Sequence, residues 1–89
     1  MRNPIRANRF KKDVTLVRKR GKNLAKLRVV MEKLIAEESL DVRHRDHPLL
    51  GNYAGRRECH LEPDWLLIYK LDGNDIIFER TGTHADLFR

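Results

Sequence analysis

The C-terminal half of the chain carries side chains that can transfer protons. His60 and Asp64 lie four positions apart, and Arg80 lies four positions before His84. Histidine titrates near neutral pH, a carboxylate can accept a proton or orient a histidine, and arginine supplies a fixed positive charge. His47 could join them from the preceding segment. These residue types at these spacings favour an acid–base active site over a simple hydrophobic core.

Two helices are predicted in the N-terminal half. Phe10, Val14 and Val17 repeat at helical spacing before Gly21, which is typical of a helix end. Asn23 can cap a second helix, whose apolar stripe runs over residues 24–35. A short edge strand is expected at residues 5–8, and residues 39–54 are expected to form a loop with little regular structure.

Three strands are predicted at residues 57–61, 65–71 and 76–81. A turn at residues 62–64 joins the first two, and Asp72, Gly73 and Asn74 give a strong hairpin signal before the third. The middle strand is apolar at both its odd and its even positions, so both of its faces should be covered. It should therefore be central, with the helix pair on one face of the sheet and a site or a partner on the other. We therefore expect an α+β fold, with a strand and a two-helix hairpin packed on a small, mostly antiparallel sheet that ends in a meander.

Charge is distributed unevenly over a chain whose 89 residues predict a single domain at 1–89. The net charge is +6, but residues 1–30 hold eleven basic residues and one acid, whereas residues 31–89 hold eight basic and twelve acidic residues. This basic block, which includes Arg18, Lys19 and Arg20, is predicted to dock on a polyanion such as RNA, DNA or an acidic protein tail. The alternative is a solvated helix face.

Cys59 is the only cysteine, which excludes a disulfide within the chain and favours a reducing compartment. No apolar run is long enough to span a membrane or to serve as a signal peptide, so we expect a soluble, cytoplasmic protein without a membrane partner. Cys59, His60, His47 and His84 could be proposed as four zinc ligands. However, adjacent residues of a strand point to opposite faces, so we expect neither a structural zinc nor a cofactor.

Several segments of the C-terminal half resemble the YafQ branch of the RelE-type toxins. They are Asp46-His47-Pro48-Leu49 with Gly51, residues 57–65, residues 68–71, and residues 78–84 with Leu87 and Phe88. Over residues 1–45 only the order of strand, helix and helix is similar. The resemblance therefore depends on the C-terminal half.

The resemblance implies a toxin of a type II toxin–antitoxin pair, a ribosome-dependent endoribonuclease that cuts mRNA in the decoding site and is blocked by a cognate antitoxin. It also implies the RelE-like fold. The positions that match the catalytic set of the family are His47, His60, Asp64 and His84. The positions that match residues supporting the site or holding RNA are Trp65, Arg80 and Phe88. Glu58 matches a frequent acid of the family and is grouped with these expected RNA-binding residues.

The residues suit metal-independent RNA cleavage on chemical grounds as well. That reaction needs a base for the 2′-hydroxyl, an acid for the departing 5′-oxygen and a cation near the phosphorane oxygens. Arg80 fits the last of these, because a guanidinium matches phosphate oxygens. The assignment of base and acid among His47, His60 and His84 stays open, and Asp64 could be a base or could orient a histidine.

Duller roles exist for the same residues. His60 could have no role beyond an ion pair with Glu58, Arg80 could pair with Glu79 or Glu58, and Trp65 could be a core residue. Phe88, in contrast, is expected to meet RNA. His44 is expected to lie on the surface. For the whole protein, the alternatives are a gyrase inhibitor, like the ParE-type relatives of this superfamily, and a non-enzymatic RNA-binding module.

Overall fold

The computed structural model describes residues 1–88 and shows an α+β fold. The elements are β1 (Asn3–Arg6), α1 (Asn8–Lys19), α2 (Leu24–Ile35), β2 (His47–Pro48), β3 (Arg57–Glu62), β4 (Trp65–Asp72), β5 (Asp75–Gly82) and α3 (His84–Leu87). Single 3-10 turns occupy Val42–His44 and Gly51–Tyr53. No helix within residues 1–88 is long and apolar enough to cross a membrane.

The five strands form one sheet in the order β1-β5-β4-β3-β2. Only the pairing of β1 with β5 is parallel, so the expected mostly antiparallel sheet is confirmed. The central position of β4 is also confirmed. Leu67 and Tyr69 of this strand pack in the core beneath the helices, whereas Leu66 and Ile68 pack with Leu87 on the other face.

The two long helices cover one face of the sheet as predicted. α1 buries Phe10 and Val17, and α2 buries a stripe of four apolar residues, Leu27, Val30, Met31 and Leu34. Full burial of one such side chain contributes roughly 1.5 to 3 kcal/mol. The Asn23 side chain accepts a hydrogen bond of 3.0 Å from the backbone N–H of Ala25, which confirms the predicted cap of α2.

Two local expectations were wrong, and one short helix was missed. β1 spans Asn3–Arg6 instead of residues 5–8, because its pairing with β5 begins at Asn3 and α1 already begins at Asn8. Residues 39–54 are not merely a loop, since β2 pairs with β3 there. The short helix α3 was not predicted. A strand of two residues and a helix of four are too short to show a period in the sequence.

Candidate active site

The sheet face opposite the two long helices carries the candidate site. Glu58 and His60 alternate along β3 and point to this face together with Leu66 and Ile68, their partners on β4. The edge strand β2 places His47 directly opposite Glu58. The residues of three separate segments therefore meet at one edge of the sheet.

Glu58 is the centre of a histidine cluster. Its Oε2 atom lies 2.9 Å from His47 Nε2 and 3.2 Å from His60 Nε2, and the residue is only 5% exposed. On the other side of the His47 ring, Nδ1 lies 3.0 Å from the carbonyl oxygen of Pro48. A carbonyl only accepts hydrogen bonds, so Nδ1 donates to it. Both nitrogens of His47 thus face acceptor oxygens.

His84 forms a second pair with Asp64, which lies in the turn between β3 and β4. The Asp64 Oδ1 atom accepts hydrogen bonds from the backbone N–H of His84 at 2.9 Å and from its Nδ1 at 2.7 Å. These two bonds, the backbone one first, lower the pKa of Asp64. The ionised carboxylate holds the ring proton on Nδ1, so in the neutral ring Nε2 carries the lone pair. Both side chains are largely exposed, 52% for His84 and 64% for Asp64.

Four rings form a continuous row across the site. The ring centroids are 6.4 Å apart for His47 and His60, 5.8 Å for His60 and His84, and 6.1 Å for His84 and Phe88. Phe88 is 43% exposed and meets Tyr53 edge to face at 5.4 Å. The row combines proton-transfer groups with an exposed aromatic face on which a base could stack.

The end of α1 holds α3, and with it His84, in place. Thr83 caps α3 and forms a capping box with Asp86, and Arg20 binds Asp86 through bonds of 2.6 and 3.2 Å. The bond from Arg20 is the main reason that the pKa of Asp86 is lowered. Gly82 precedes the cap, and a Cβ at that position would lie 2.8 Å from Asp86 Oδ2. Only glycine therefore fits there without a shift.

Arg80 is bound to a residue that sequence reasoning did not identify. Its Nε and Nη2 atoms donate to Asp13 of α1 at 2.7 and 3.2 Å, which raises the pKa of Arg80. The alternative that Arg80 pairs with Glu79 or Glu58 was wrong, since Glu79 binds Arg56 at 2.6 Å and Glu58 binds His47 and His60. Asp13 lies 67 positions away in sequence, so no local pattern reveals this pair. A role of Arg80 in holding RNA stays a prediction.

Two further residues expected to meet RNA lie inside the protein. Trp65 is 1% exposed on the helix side of the sheet, where its Nε1 donates to Thr81 Oγ1 at 2.9 Å. The core role of Trp65 is confirmed, and its burial corrects the expectation of direct RNA contact. The carboxylate of Glu58 is likewise engaged with His47 and His60 and does not belong to an open RNA surface.

The remaining predicted contact residues lie at the end of α1. Arg18 and Lys19 are exposed in its last turn, whereas Arg20, also exposed, is bound to Asp86. Cys59 is fully buried on the helix side, and burial raises the pKa of its thiol. Cys59 therefore lies on the face opposite His60, as the alternation of a strand predicts.

His44, which the sequence placed on the surface, contacts the backbone of a candidate site residue. Its Nδ1 lies 2.7 Å from the carbonyl oxygen of His60, to which it donates, and the side chain is half-buried. The 3-10 turn that carries it is capped by Asp41, whose side chain accepts from Arg43 N at 3.0 Å. Asp41 was the local sequence signal for this turn, because Asp before a short polar turn is typical of such caps.

Comparisons with known proteins agree on one family. The family model described as a bacterial toxin of a type II toxin–antitoxin system, YafQ, matches residues 2–89. The mRNA interferase toxin YafQ of Escherichia coli K12 is 48% identical over 83 residues, which cover 92% of this chain and 90% of that protein. The crystal structure of the E. coli DinJ–YafQ complex matches at a TM-score of 0.93 and 46% identity, covering 100% of both chains. A metal-bound toxin from Helicobacter pylori matches at a TM-score of 0.92 and 37% identity, covering 99% of this chain and 100% of that one.

Proposed function

Because the chain belongs to the YafQ family of type II toxin–antitoxin toxins, we propose that it stops translation by cutting mRNA on the ribosome, without a metal ion. The chain is an endoribonuclease of the mRNA interferase class. The observation that carries the proposed mechanism is the row formed by His47, His60 and His84, with a carboxylate held against each end of it.

The two carboxylate–histidine pairs can serve the two ends of one phosphodiester. Proton-transfer groups act within about 2.6 to 3.2 Å of the oxygen they serve, and the ring centroids of His60 and His84 are 5.8 Å apart. One pair takes the 2′-hydroxyl proton while that oxygen attacks phosphorus. The other pair protonates the 5′-oxygen as its bond to phosphorus breaks. A 2′,3′-cyclic phosphate and a free 5′-hydroxyl are the products.

His47 and Asp64 have supporting roles in this scheme. His47 contacts Glu58 and lies next to His60, so it helps to position the Glu58–His60 pair. Asp64 fixes the tautomer of His84, so that proton transfer occurs through Nε2. This use of a carboxylate to orient a histidine is common in hydrolases with a catalytic triad.

The openness of the site supports a need for the ribosome. His84 and Asp64 are more than half exposed, so the protein itself encloses little of its substrate. General acid–base catalysis supplies only about 10²- to 10⁴-fold per group, and the rest of the rate must come from RNA held in line for attack. A ribosome holding mRNA in its decoding site can provide that alignment, and the basic residues of α1 would bind its RNA.

The basic charge of the chain and the complex formed by a relative both support an antitoxin partner. E. coli YafQ was crystallised with DinJ. For this chain we propose a cognate antitoxin that covers His60, Arg80 and His84 with an acidic segment. Opposite charges would speed the encounter with the basic N-terminal third. A complex that leaves these three residues open to RNA would contradict occlusion and indicate an indirect mechanism.

A cleavage assay on translating ribosomes tests the proposal. The wild-type toxin should cut mRNA only when ribosomes are present, and the products should end in a 2′,3′-cyclic or 3′-phosphate. The triple variant His60→Ala, Asp64→Ala, His84→Ala should still bind ribosomes but should not cut. Full cleavage by this variant would remove these residues from the mechanism.

The same preparations separate the alternative functions. A gyrase inhibitor would block DNA supercoiling in vitro and leave mRNA intact, which is not expected for this chain. Ribosome binding without any cleavage would favour a non-enzymatic module. An mRNA with sulfur in place of the leaving 5′-oxygen then identifies the general acid, because a thiolate leaves without being protonated. A variant that lacks the general acid should therefore cleave this substrate and not the normal mRNA.

A further inference from the structure

A cleft opens beside His60, at the part of β3 that β2 leaves uncovered. β2 pairs only with Arg57 and Glu58, and the 3-10 turn Val42–His44 lies against His60 further along the strand. The gap between the turn and β3 encloses about 310 Å³, which is within the range of small-ligand sites, roughly 300 to 1,000 Å³. Its walls are Arg43, His44 and Arg45 on one side and residues 60–63 on the other.

The cleft is positively charged. Arg43 and Arg45 are both exposed on its wall. Glu62, the one acid among its described lining residues, is already bound to Lys22 and Lys26 at 2.7 and 2.8 Å. Within residues 1–88, no carboxylate forms an ion pair with Arg43 or Arg45. Both guanidinium groups are therefore available to an anion that enters the cleft.

Arg45 has a backbone conformation that is unfavourable for an arginine. Its φ of 46° and ψ of 49° lie in the left-handed region, which glycine adopts without strain. The backbone N–H of Arg45 donates to the Val42 carbonyl oxygen at 3.1 Å and ends the 3-10 turn, after which the chain turns towards β2. Glycine would make the same turn with less strain. Backbone outliers of this kind are concentrated at functional sites, and here the side chain stands on the wall of the cleft.

We propose that this cleft binds the phosphate group of an RNA nucleotide next to the cleaved bond, through Arg45 with Arg43 in support. The proposal rests on the proposed function, because RNA must lie at His60 to be cleaved. A guanidinium fork matches two phosphate oxygens. Phe88 borders His84, whereas the cleft borders His60, so nucleotides on the two sides of the cleaved bond contact different groups.

A single uncharged phosphate in the mRNA tests the contact directly. Messenger RNAs that carry one methylphosphonate, moved stepwise away from the cleaved bond, are cleaved on ribosomes under single-turnover conditions at subsaturating toxin. At one position the wild type should lose roughly tenfold in cleavage rate, the value of one charged hydrogen-bonded contact. Arg45→Gly should lose as much on unmodified mRNA and nothing further when that phosphate is neutral. Losses that multiply, or wild-type cleavage by Arg45→Gly, would overturn the proposal.

Glycine at position 45 also separates RNA binding from folding. Because glycine relieves the strain, Arg45→Gly should unfold at the same urea concentration as the wild type or at a higher one. A lower urea midpoint would assign Arg45 a structural role and overturn the proposal. Glu37→Gly is the matched control, since Glu37, with a φ of 62°, is the other left-handed non-glycine residue within residues 1–88. Glu37→Gly should cleave as the wild type does, and Arg45→Lys, which keeps the charge, should recover part of the lost rate.

RNA binding without cleavage distinguishes this proposal from the proposed function. His84→Ala, which should not cut, is titrated with a single-stranded RNA oligonucleotide, and fluorescence anisotropy is recorded at several salt concentrations. Adding Arg45→Gly should weaken binding roughly tenfold and reduce the slope of log affinity against log salt by about 0.7. A wild type that binds RNA through Arg45 but never cuts mRNA would contradict the proposed function and leave the cleft standing. Unchanged RNA affinity, with a loss only for a glutamate-rich peptide, would overturn the RNA assignment in favour of a protein partner.

Discussion

At the level of single residues, Asp64 and His84 form one hydrogen-bonded pair. The carboxylate oxygen receives both the backbone and the ring N–H of His84, so it fixes the position of the ring as well as its tautomer. Removal of the carboxylate leaves the histidine present but able to rotate and to carry its proton on the wrong nitrogen. A histidine without its orienting acid then loses much of its value as a proton carrier.

We expect His84→Ala to lower ribosome-dependent cleavage by about 10²- to 10⁴-fold and Asp64→Asn by somewhat less. The double variant should lose little more than His84→Ala alone, because the first change already disables the pair. Single-turnover cleavage rates at saturating ribosome concentration measure these losses, and circular dichroism checks the fold. Losses that simply multiply in the double variant would show that the two residues act separately.

His44 offers a second test at this scale, because its ring is bonded to the backbone of His60. Its bond to the His60 carbonyl holds the β3 backbone that carries the cluster. We expect His44→Ala to lower the cleavage rate by roughly tenfold while leaving ribosome affinity unchanged. His44→Asn, which keeps a side-chain N–H, should recover part of the rate. Equal cleavage by wild type and His44→Ala would assign His44 to the surface, as the sequence had suggested.

The sequence identified the residue types of the site but not their partners. His47, His60, Asp64 and His84 were recognised from chemistry and resemblance, and the fold brings them together. The partners Asp13 and His44 were missed. Each of them meets its partner through tertiary structure, Asp13 across 67 positions and His44 across 16, and such contacts have no period or local motif.

At the scale of elements, the junction of β5 and α3 determines where His84 lies. Gly82 allows Asp86 to approach, and Asp86 binds both the cap residue Thr83 and Arg20 of α1. This small network explains why a helix of four residues can have a fixed position. Short helices have little stability of their own and depend on caps and tertiary contacts.

Gly82→Ala should therefore displace α3 and lower both stability and cleavage. The added methyl group would lie 2.8 Å from Asp86 Oδ2, within the range where something must move. Gly73→Ala is the matched control, since its positive φ of 59° is strained but nothing lies near its Cβ. The control should lose about 1 kcal/mol of unfolding free energy and keep its cleavage rate. Urea unfolding and the ribosome assay measure the two effects.

The same junction predicts a dependence on pH. The pKa of Asp86 is lowered in the folded protein, mainly by Arg20, so ionised Asp86 stabilises the fold above its ordinary pKa of 3.8. This contribution is lost as the pH falls from there towards the lower folded-state value. Asp86→Asn should reduce the unfolding free energy by roughly 1 kcal/mol at pH 7 and by less below pH 4. Arg20→Ala should remove the same pH-dependent part of the unfolding free energy. A loss of unfolding free energy that is as large at low pH as at pH 7 would rule out the ion pair as its source.

The long elements were predictable because hydrophobic periodicity and capping residues can be recognised in a continuous stretch of sequence. α2 has the predicted span after Asn23, and β3, β4 and β5 differ from the predicted strands by at most one residue at an end. The short elements β2 and α3 were not predictable. β2 consists of His47 and Pro48 and exists because β3 offers a free edge, which only the folded sheet provides.

At the scale of the whole molecule, the exposed cations and the row of rings belong to different parts of the chain. The exposed cations of α1 lie in the basic N-terminal third, whereas the row of rings belongs to the C-terminal half. Several cations are already paired within the fold, including Arg20 with Asp86 and both Lys22 and Lys26 with Glu62. Arg18 and Lys19 are exposed, and they are therefore better tests of docking than Arg20.

Replacing Arg18 and Lys19 with Ala should weaken ribosome binding while preserving the fold and the chemistry of the bound complex. Each lost phosphate contact reduces the slope of log affinity against log salt by about 0.7 to 0.9, so the deficit should be largest at low salt. Arg28→Ala with Lys33→Ala removes the same charge from α2 and is the control. A uniform effect of net charge would weaken both double variants equally, whereas docking through α1 weakens only the first. Binding measured by co-sedimentation at several salt concentrations, with single-turnover cleavage at saturation, distinguishes the two outcomes.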